Sequence, residues 1–537
     1  MKPIKVIDLF AGPGGLGEGF ANVSVGGESS FRIAVSIENN LSAHRTLTLR
    51  AFFRNFNNPP DEYYAFLKGE LGKIPDDELY RIPKFKKEIE AAKNEALCLT
   101  LGKDDLAIKR AIDAAVGDDE CVLIGGPPCQ AYSVIGRSRN KGQSDYVPEK
   151  DDRNFLYQEY LKVIARYQPK AFVMENVKGL LSAKINKELI IEKVLSDLAD
   201  PGSVTRIKPR SGYRKHKYTI FPLAPKAGAG DLFDDSLWGR KLDPRDYVIE
   251  SEFFGIPQKR HRVILVGLRN DIVHNLSDFP SLVPHQRKVS VGEVIGTLPK
   301  LRSGLSKEKN TVENWLNLIR SQGSELVAKL REEGSKSLAE TIDRQINSRI
   351  VAPRSGQGVN IGLKTTKSTQ IPGKKDLEAW YYDKRLEGYI TNHESRGHIA
   401  ADLQRYLFCS AWGQAGERKN APMGPKAKDF PDFLKPNHKN FDSGKFVDRF
   451  KVQLKDQPGS TVTSHISKDG HYYIHYDPLQ CRSLTVREAA RVQTFPDNYH
   501  FCGNRTEQYV QVGNAVPPFL AKQIASIIIS VITDIKQ

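Results

Sequence analysis

Cysteine is scarce in this chain. Only six of its 537 residues are cysteines, at positions 98, 121, 129, 409, 481 and 502, and no Cys-x-x-Cys pair occurs. This scarcity argues against a disulfide framework and against a structural zinc site. We therefore expect a chain whose thiols stay reduced and which holds no metal.

Membrane and export signals are also missing. No uninterrupted apolar run is long enough to span a bilayer. Residues 1–8 lead into a predicted strand without the apolar core of a signal peptide. These absences favour a cytoplasmic protein that has no membrane partner.

Positive charge is in excess. The formal net charge is +16 and the isoelectric point is near 9.3. This balance favours a polyanionic partner over a small acidic metabolite, although an ordinary basic surface would give the same balance. The length of the chain allows two or three domains.

The first half of the sequence alternates strands with helices, which is typical of a mostly parallel sheet. Strands are predicted at 5–10, 31–37, 121–124, 171–174 and 262–267. Helices are predicted at 84–99 and 155–167, the first of them within a helical insertion of about 45–118. We predict an α/β fold whose catalytic domain covers residues 1–302.

The alternation ends near residue 303. Residues 303–478 combine charged helical segments (305–349) with Gly/Ser/Lys-rich connections and short predicted strands such as 471–475. They are predicted to form a smaller, separate domain of mixed structure. Residues 479–537 return to helices and are expected to rejoin the first domain.

A glycine-rich turn follows the first predicted strand. Phe10-x-Gly-x-Gly-Gly15 joins that strand to a helix, and Glu38 closes the next strand. Glycines let the backbone approach a nucleoside ligand, and the acid can accept hydrogen bonds from ribose hydroxyls. An ordinary tight turn would use the same glycines, but the position of Glu38 favours the nucleoside ligand. The spacing is not Gly-x-Gly-x-x-Gly, which counts against an NAD-dependent dehydrogenase.

A rigid collar, Gly125-Gly-Pro-Pro128, follows the strand 121–124, and Cys129 comes directly after it. An open α/β sheet places its chemistry at the carboxyl ends of its strands, so Cys129 is a candidate nucleophile. An inert buried thiol would need no such collar. Glu175 ends the next predicted strand and can carry a proton in the same crevice, unless it only caps the following helix.

Two arginines, Arg260 and Arg262, stand at the entry of the last predicted strand. Strand alternation places both side chains on one side of the sheet. They are either solvated charges or, if directed at the crevice, ligands for a base carbonyl or a phosphate.

Six motifs occur in a fixed order along the chain. They are Phe10-Ala-Gly-Pro-Gly-Gly15, Pro127-Pro-Cys-Gln130, Glu175-Asn-Val177, Gln258-x-Arg260-x-Arg262, Arg482-x-Leu-Thr-x-Arg-Glu-x-x-Arg-x-Gln-x-Phe-Pro496 and Gln511-x-Gly-Asn-x-Val-Pro-Pro518. Together they resemble the DNA (cytosine-5)-methyltransferase family. The resemblance covers roughly 1–45, 119–180, 245–300 and 480–537, and six ordered motifs are far more specific than any one of them.

The resemblance implies a Rossmann-like, S-adenosylmethionine-dependent methyltransferase sheet, with 303–478 as the target-recognition domain. It implies that the Cys129 thiolate adds to C6 of a cytosine flipped out of the duplex. Glu175 would contact the N3 edge and supply a proton, while Arg262, helped by Arg260, would hold the O2 side. S-adenosylmethionine would be the methyl donor. The residues implied to line its pocket are Phe10, Ala11, Gly12, Gly14, Gly15, Glu38, Pro128, Leu156, Asn514 and Val516.

Several positions remain open within this resemblance. Asn39 stands where many relatives carry a bulky apolar side chain, and Asp104 or Asp105 is a candidate contact to the adenine amino group. The polar loop 131–152 is predicted to be a lid over DNA. Plausible DNA contacts of the recognition domain are Tyr381, Tyr382, Arg385, His393, Arg396 and Lys468. Residues not expected to bind metal or act chemically are His471, His475, Cys98, Cys409 and Cys502.

The expected function is site-specific methylation of double-stranded DNA by a monomer, as the modification half of a restriction system with a cognate endonuclease. One alternative is a tRNA cytosine-5 methyltransferase, whose Cys-Phe-Thr signature is absent; the nearest sequence is Phe408-Cys-Ser-Ala411. Another alternative is a catalytically idle DNA-binding relative. The combination of Cys129, Glu175 and Arg262 argues against it.

Overall fold

The computed structural model describes most of the chain. The described residues are 2–71, 75–128, 155–185, 188–224, 243–276, 279–347, 354–355, 363–364, 375–386, 388–418, 423–436 and 450–533. The predicted nucleophile Cys129 and the predicted lid 131–152 lie outside the described residues.

A central sheet organises the fold. Its strands, in chain order, are β1 Ile4–Leu9, β2 Phe31–Glu38, β3 Ala96–Cys98, β4 Cys121–Gly125, β5 Ala171–Val177, β6 Tyr218–Phe221, β7 Val248–Glu250 and β8 His261–Arg269. The order across the sheet is β6-β8-β5-β4-β1-β2-β3, and β7 also pairs with β8. Strands β1 to β5 pair in parallel, whereas β8 is antiparallel to β5, β6 and β7. The predicted α/β fold with a mostly parallel sheet is confirmed.

Helices cover both faces of this sheet and also form parts of the chain that lie away from it. They are α1 Gly15–Ala21, α2 Leu41–Arg54, α3 Asp61–Leu67, α4 Pro75–Tyr80, α5 Lys86–Glu95, α6 Asp105–Val116, α7 Phe155–Tyr167, α8 Ile190–Ala199, α9 Pro201–Thr205, α10 Asn270–Val273, α11 Val291–Ile295, α12 Val312–Glu332, α13 Lys336–Asn347, α14 Lys375–Tyr381, α15 Ala400–Arg418, α16 Val486–Val492, α17 Arg505–Asn514 and α18 Pro518–Thr533. Alternate residues of β1 enter two separate hydrophobic clusters: Val6 packs in one, Ile7 and Leu9 in the other. The sheet is therefore buried on both faces, as a parallel sheet requires.

Two sequence-based predictions of secondary structure were wrong in part. The helix predicted at 84–99 ends at Glu95, because residues 96–98 pair in parallel with β2 as an edge strand. The strand predicted at 471–475 is a 3₁₀ helix over His471–Tyr473, followed by isolated bridges at Ile474. Aromatic and β-branched residues favoured a strand there, but local turn hydrogen bonds decided the conformation.

The C-terminal helical run is long and apolar enough to cross a membrane, judged by length and composition alone. It covers Arg505–Thr533, and 72% of its most apolar window is buried inside the protein. Its second part, α18, packs against α1 so closely that a Cβ at Gly19 would lie 2.4 Å from Ala521 Cβ. We interpret this run as a helix of the protein core.

A third hydrophobic cluster lies apart from the sheet. Helices α12, α13 and α15 supply most of it, with Trp315 and Leu407 completely buried. Other parts of the predicted 303–478 domain pack instead in the cluster of the sheet, including Trp380 and Ile466. The segment predicted to be one domain therefore contributes to two packing units.

Three buried arginines stabilise the segment 482–499. Arg482 donates to both carboxylate oxygens of Glu488, and Arg491 donates to both carboxylate oxygens of Asp497. Arg487 donates instead to backbone carbonyls, including those of Pro496 and Tyr499. Such bidentate and fully bonded guanidinium groups offset the cost of burying charge.

Acidification is expected to destabilise the region around this segment. Burial lowers the pKa of His393 to about 4, and its ring nitrogens bond to Thr485 Oγ1 and Pro299 O. The folded protein thus excludes a proton that the unfolded chain binds below pH 6.5, so stability falls as pH drops from about 6.5 to about 4. For His393 alone the loss is roughly 3 kcal/mol at pH 4. Burial shifts the pKa values of His398 and His475 in the same direction.

Urea denaturation at pH 7.5, 6 and 5 measures this loss. His393→Gln can keep both hydrogen bonds and is expected to flatten the dependence of stability on pH. His274→Ala, at an exposed position on the end of α10, is the matched control and should keep the wild-type slope. Equal slopes for all three proteins would show that the buried histidine is not responsible.

Candidate active site

The glycine-rich turn after β1 has the conformation that its sequence requires. Phe10, Gly12 and Gly14 have φ values of 55°, 56° and 93°, so the chain reverses sharply into α1. A Cβ at Gly12 would meet nothing within 4 Å, whereas one at Gly15 would lie 2.2 Å from Val516 O. The turn is therefore open on one side and closely packed against the C-terminal segment on the other.

Glu38 lies beside this turn at the end of β2. Its Oε2 accepts a hydrogen bond from Gly12 N (2.9 Å) and its Oε1 accepts one from Asn40 N (2.7 Å). Both bonds fix the carboxylate in place, and each oxygen keeps a second lone pair for a ligand. The structure thus brings together the predicted glycine turn and the predicted acid.

The exit of β4 passes close to its neighbours. A Cβ at Gly125 would lie 2.4 Å from Leu9 O, and one at Gly126 would lie 3.2 Å from Glu175 Oε2. Only glycines fit these positions without displacement. Asn176 Nδ2 also donates to Pro127 O at 3.4 Å. The collar before Cys129 therefore runs directly beside the end of β5.

Glu175 and Arg262 form an ion pair at this edge of the sheet. Arg262 Nε lies 2.8 Å from Glu175 Oε1, and each side chain is 14% exposed. The antiparallel register places Arg262 opposite Val177, so that the two charged side chains are diagonal neighbours on one face. Arg262 Nη1 also donates to His261 O at 2.9 Å. Both side chains of the pair are partly exposed, so a molecule in the crevice can reach them.

Arg260 has a different environment. Its Nη1 donates to Val462 O (2.7 Å) and Gly513 O (3.3 Å), and the residue is 3% exposed. Burial, together with the nearby positive charge of Arg262, lowers the pKa of Arg260 to about 9. Its guanidinium therefore joins three segments of backbone rather than lying open to a ligand.

Two buried glutamines were not singled out from the sequence, although both occur in its ordered motifs. Gln258 Nε2 donates to Val492 O, and Gln258 Oε1 accepts from Val462 N. Gln493 Nε2 donates to Val512 O (2.7 Å) and Ala515 O (3.1 Å). These amides fix the segment that ends α17 against the strand bearing the arginines.

The remaining predicted pocket residues lie around the same turn. Ala11 N bonds to Ile37 O and holds the turn on β2. Val516 is buried against Gly15, while Asn514 is exposed at the end of α17. The other two, Pro128 and Leu156, are half-buried at the exit of β4 and the start of α7.

The two candidate adenine contacts are occupied within their own turn. Asp104 Oδ2 accepts from Thr100 N (2.7 Å), and Asp105 Oδ1 accepts from Gly102 N (2.9 Å). Each carboxylate thus caps the turn that precedes α6. These contacts do not direct either carboxylate towards the proposed nucleoside pocket beside Glu38.

Several predicted DNA contacts of the recognition domain were wrong. Tyr381 and His393 are completely buried, and Arg396 donates inward to the Ile466 and Lys468 carbonyls. Arg385 binds Asp61 and thereby joins this region to α3. Lys468 itself is exposed and Tyr382 is half-buried.

The expected structural thiols differ in their surroundings. Cys409 and Cys502 are buried, whereas Cys98 is exposed at the end of β3. His471 Nδ1 lies 2.7 Å from Tyr406 Oη, within hydrogen-bond distance, and His475 Nε2 lies 3.6 Å from Glu488 Oε1. Each of these histidines is thus engaged with neighbouring protein groups.

Fold and site together are those of an α/β enzyme, with a nucleoside-type turn beside an acid–arginine pair. The family model of C-5 cytosine-specific DNA methylase matches residues 105–203 and 245–530. The chain is 31% identical to the type II methyltransferase M.Bpa9945I of Bacillus paralicheniformis, covering 98% of this chain and 99% of that protein. It is 25% identical to the DNA (cytosine-5-)-methyltransferase M.ApeKI of Aeropyrum pernix, covering 99% of each.

A third relative is the type II methyltransferase M.AgeI of Thalassovita gelatinovora, at 25% identity over 98% of this chain and 99% of that protein. The chain belongs to the C-5 cytosine-specific DNA methylase family and is a DNA (cytosine-5-)-methyltransferase. The family membership that the six motifs predicted is confirmed. Enzymes of this family take their methyl group from S-adenosylmethionine.

Proposed function

We propose that this enzyme methylates C5 of a flipped-out cytosine in a specific DNA site through a covalent bond between Cys129 and C6. The observation that carries the proposal is the Glu175–Arg262 ion pair beside the collar that leads to Cys129. An acid and a guanidinium held at one sheet edge match the N3 and O2 positions of a cytosine. The excess of positive charge supports DNA as the polyanion.

The chain's own groups can activate the base for methyl transfer. The Cys129 thiolate attacks C6, the C5–C6 π electrons move towards N3, and a proton shared with Glu175 neutralises the ring. Arg262 exchanges its contact with Glu175 for the base O2 and offsets the developing negative charge. S-adenosylmethionine, when bound, supplies an electrophilic methyl group to C5. Loss of the C5 proton to water then restores the C5–C6 double bond and expels the Cys129 sulfur as thiolate, while the N3 proton returns to Glu175.

The ion pair engages Glu175 and Arg262 with each other until a substrate base binds. In the structure Arg262 Nε lies 2.8 Å from Glu175 Oε1 and occupies this carboxylate oxygen. A base that takes the guanidinium through O2 frees Glu175 to share a proton with N3. Cytosine entry would thus make the Glu175 carboxyl group accessible to the base.

We assign Arg260 as a positioning residue. Its bonds to Val462 O and Gly513 O join the strand of Arg262 to the segment that ends α17. Asn514 follows Gly513 directly, so one guanidinium orients both the catalytic edge and a residue that the resemblance places in the cofactor pocket. This differs from the direct contact to the base predicted from the sequence.

The described part of the cofactor pocket fits a nucleoside. The open side of Gly12 leaves room for close approach, and the fixed Glu38 carboxylate offers lone pairs to two ribose hydroxyls. Phe10, which is half-buried, can stack on a base. Val516 packs against this turn at Gly15.

The alternatives have less support. Cys409, the cysteine nearest to the tRNA-type signature, is completely buried in α15, and burial raises its pKa. A thiol that is neither accessible nor ionised cannot be a nucleophile. An idle DNA-binding relative would not need this half-buried acid–arginine pair, because partial burial of two charges costs stability unless it serves chemistry.

The biological role follows from the type II relatives. We propose that the enzyme acts as a cytoplasmic monomer and protects host DNA from a cognate restriction endonuclease. The names of M.Bpa9945I and M.AgeI as type II methyltransferases support this role.

Expression in a bacterial host without cytosine methylation tests the proposal. Bisulfite sequencing is expected to reveal one protected sequence motif, methylated at C5 of a single cytosine, and purified enzyme should label duplex DNA but not tRNA. A Glu175→Gln protein is the matched control. Methylation confined to tRNA, or no methylation with intact folding, would contradict the proposed substrate.

A further inference from the structure

We infer that Glu250, Glu252 and His261 form a binding site for a divalent transition-metal ion. Each residue offers one ligand atom, and these atoms all lie within 4.8 Å of one another. The cluster is on the turn that leads into β8, next to Arg262 in the sequence. This site lies outside the cofactor pocket and departs from our expectation, based on cysteine content, that the chain holds no metal.

The backbone brings the three residues together. Glu250 and His261 are direct partners in the antiparallel pairing of β7 with β8, so their side chains lie on the same face. Glu252 follows in the 3₁₀ helix Ser251–Phe254 and is folded back onto them. Ser251 Oγ donates to Gln258 O and accepts from Arg260 N, which fixes the turn. The backbone itself therefore holds the three ligand residues close together.

The two carboxylates of the cluster have too few partners among the described residues. Glu252 is 4% exposed, and its Oε1 lies 3.2 Å from His261 Nε2. Its second oxygen, Oε2, is buried and has no hydrogen-bond partner among the described residues. In that same set, no lysine or arginine forms an ion pair with Glu250 or Glu252. A buried carboxylate oxygen with no partner is costly, and a bound cation would remove that cost.

The donor set indicates the kind of ion. One imidazole and two carboxylates suit Zn²⁺ and similar first-row ions better than Ca²⁺ or Mg²⁺, which prefer all-oxygen ligands. Glu250 and His261 are half-buried, so an ion can enter from solvent. Three protein ligands leave a coordination position for water.

The site lies directly behind the catalytic edge. Strand alternation directs His261 to the face opposite Arg262, while Arg262 Nη1 donates to the His261 carbonyl. An ion on His261 would therefore brace the backbone that positions Arg262. The ion would not touch the cytosine.

Metal titration of the intact enzyme tests this inference independently of methylation. Zn²⁺, added to tag-free protein in isothermal calorimetry, is expected to bind with a 1:1 stoichiometry and to raise Tm. Co²⁺ should give a visible spectrum without thiolate charge-transfer bands, which excludes binding by cysteine. His261→Ala and Glu252→Gln are each expected to weaken binding by roughly 100-fold or more, since each removes a ligand.

His274→Ala, at an exposed histidine on the same domain, is the control and should bind Zn²⁺ like the wild type. Glu250→Gln, at a half-buried position, serves if the other two variants fail to fold by circular dichroism. Absence of Zn²⁺ binding at tens of micromolar would overturn the inference, as would binding that all these variants retain. Either result would leave the proposed methylation unaffected, because the site contacts no reacting atom.

Discussion

Cys129→Ser is expected to lower turnover by roughly 10³-fold or more while the protein still binds DNA. A serine hydroxyl is a far weaker nucleophile than a thiolate at neutral pH, so the attack on C6 should become much slower. The phosphate contacts that supply most DNA affinity do not involve this side chain. Single-turnover methylation and filter binding on the same preparation measure the two quantities.

Cys409→Ala provides the matched control for this loss. Its thiol is completely buried in α15 and far from any role in our account, so turnover should stay within about two-fold of the wild type at temperatures well below Tm. Equal losses in both variants would indicate a general effect of cysteine removal on folding. Activity retained by Cys129→Ser would contradict the covalent mechanism.

The two arginines before β8 are expected to respond differently to the same substitution. Arg262→Gln removes the partner of Glu175 and the proposed contact to O2, so kcat should fall by about 10²- to 10³-fold with little change in Tm. Arg260→Gln instead leaves the buried Val462 and Gly513 carbonyls without their donor. We expect that change to cost about 1–3 kcal/mol of stability.

Parallel measurement of kcat and urea denaturation separates these roles. A stable Arg260→Gln protein with the same loss of kcat as Arg262→Gln would place Arg260 on the base, as the sequence alone predicted. A large loss of stability in Arg262→Gln would mean that the ion pair with Glu175 is mainly structural.

The sequence predicted the sheet well because its strands are buried on both faces. Continuous apolar runs such as 121–124 and 171–174 have few other interpretations between glycine and proline signals. The edge strand β3 was missed because three residues, Ala96–Cys98, carry too little pattern to interrupt a helical stretch. Pairing with β2 is a long-range contact, and local propensity does not record it.

The candidate site was predictable in its residues but not in its contacts. Motif order identified Glu175 and Arg262, yet only the register of β5 with β8 makes them diagonal neighbours. Basic and aromatic residues of the recognition domain were expected to face DNA, because charged side chains are usually exposed. Arg396 instead turns inward to two backbone carbonyls, a bonding pattern that sequence does not disclose.

The covalent step itself can be captured with DNA that carries 5-fluorocytosine at the target position. Fluorine cannot leave C5 as a cation, so the methylated adduct cannot break down and the enzyme remains attached. Our account predicts a 1:1 complex that survives denaturing electrophoresis, forms only with S-adenosylmethionine, and maps by mass spectrometry to the peptide containing Cys129. An adduct on another cysteine, or none from enzyme that methylates ordinary cytosine, would contradict it.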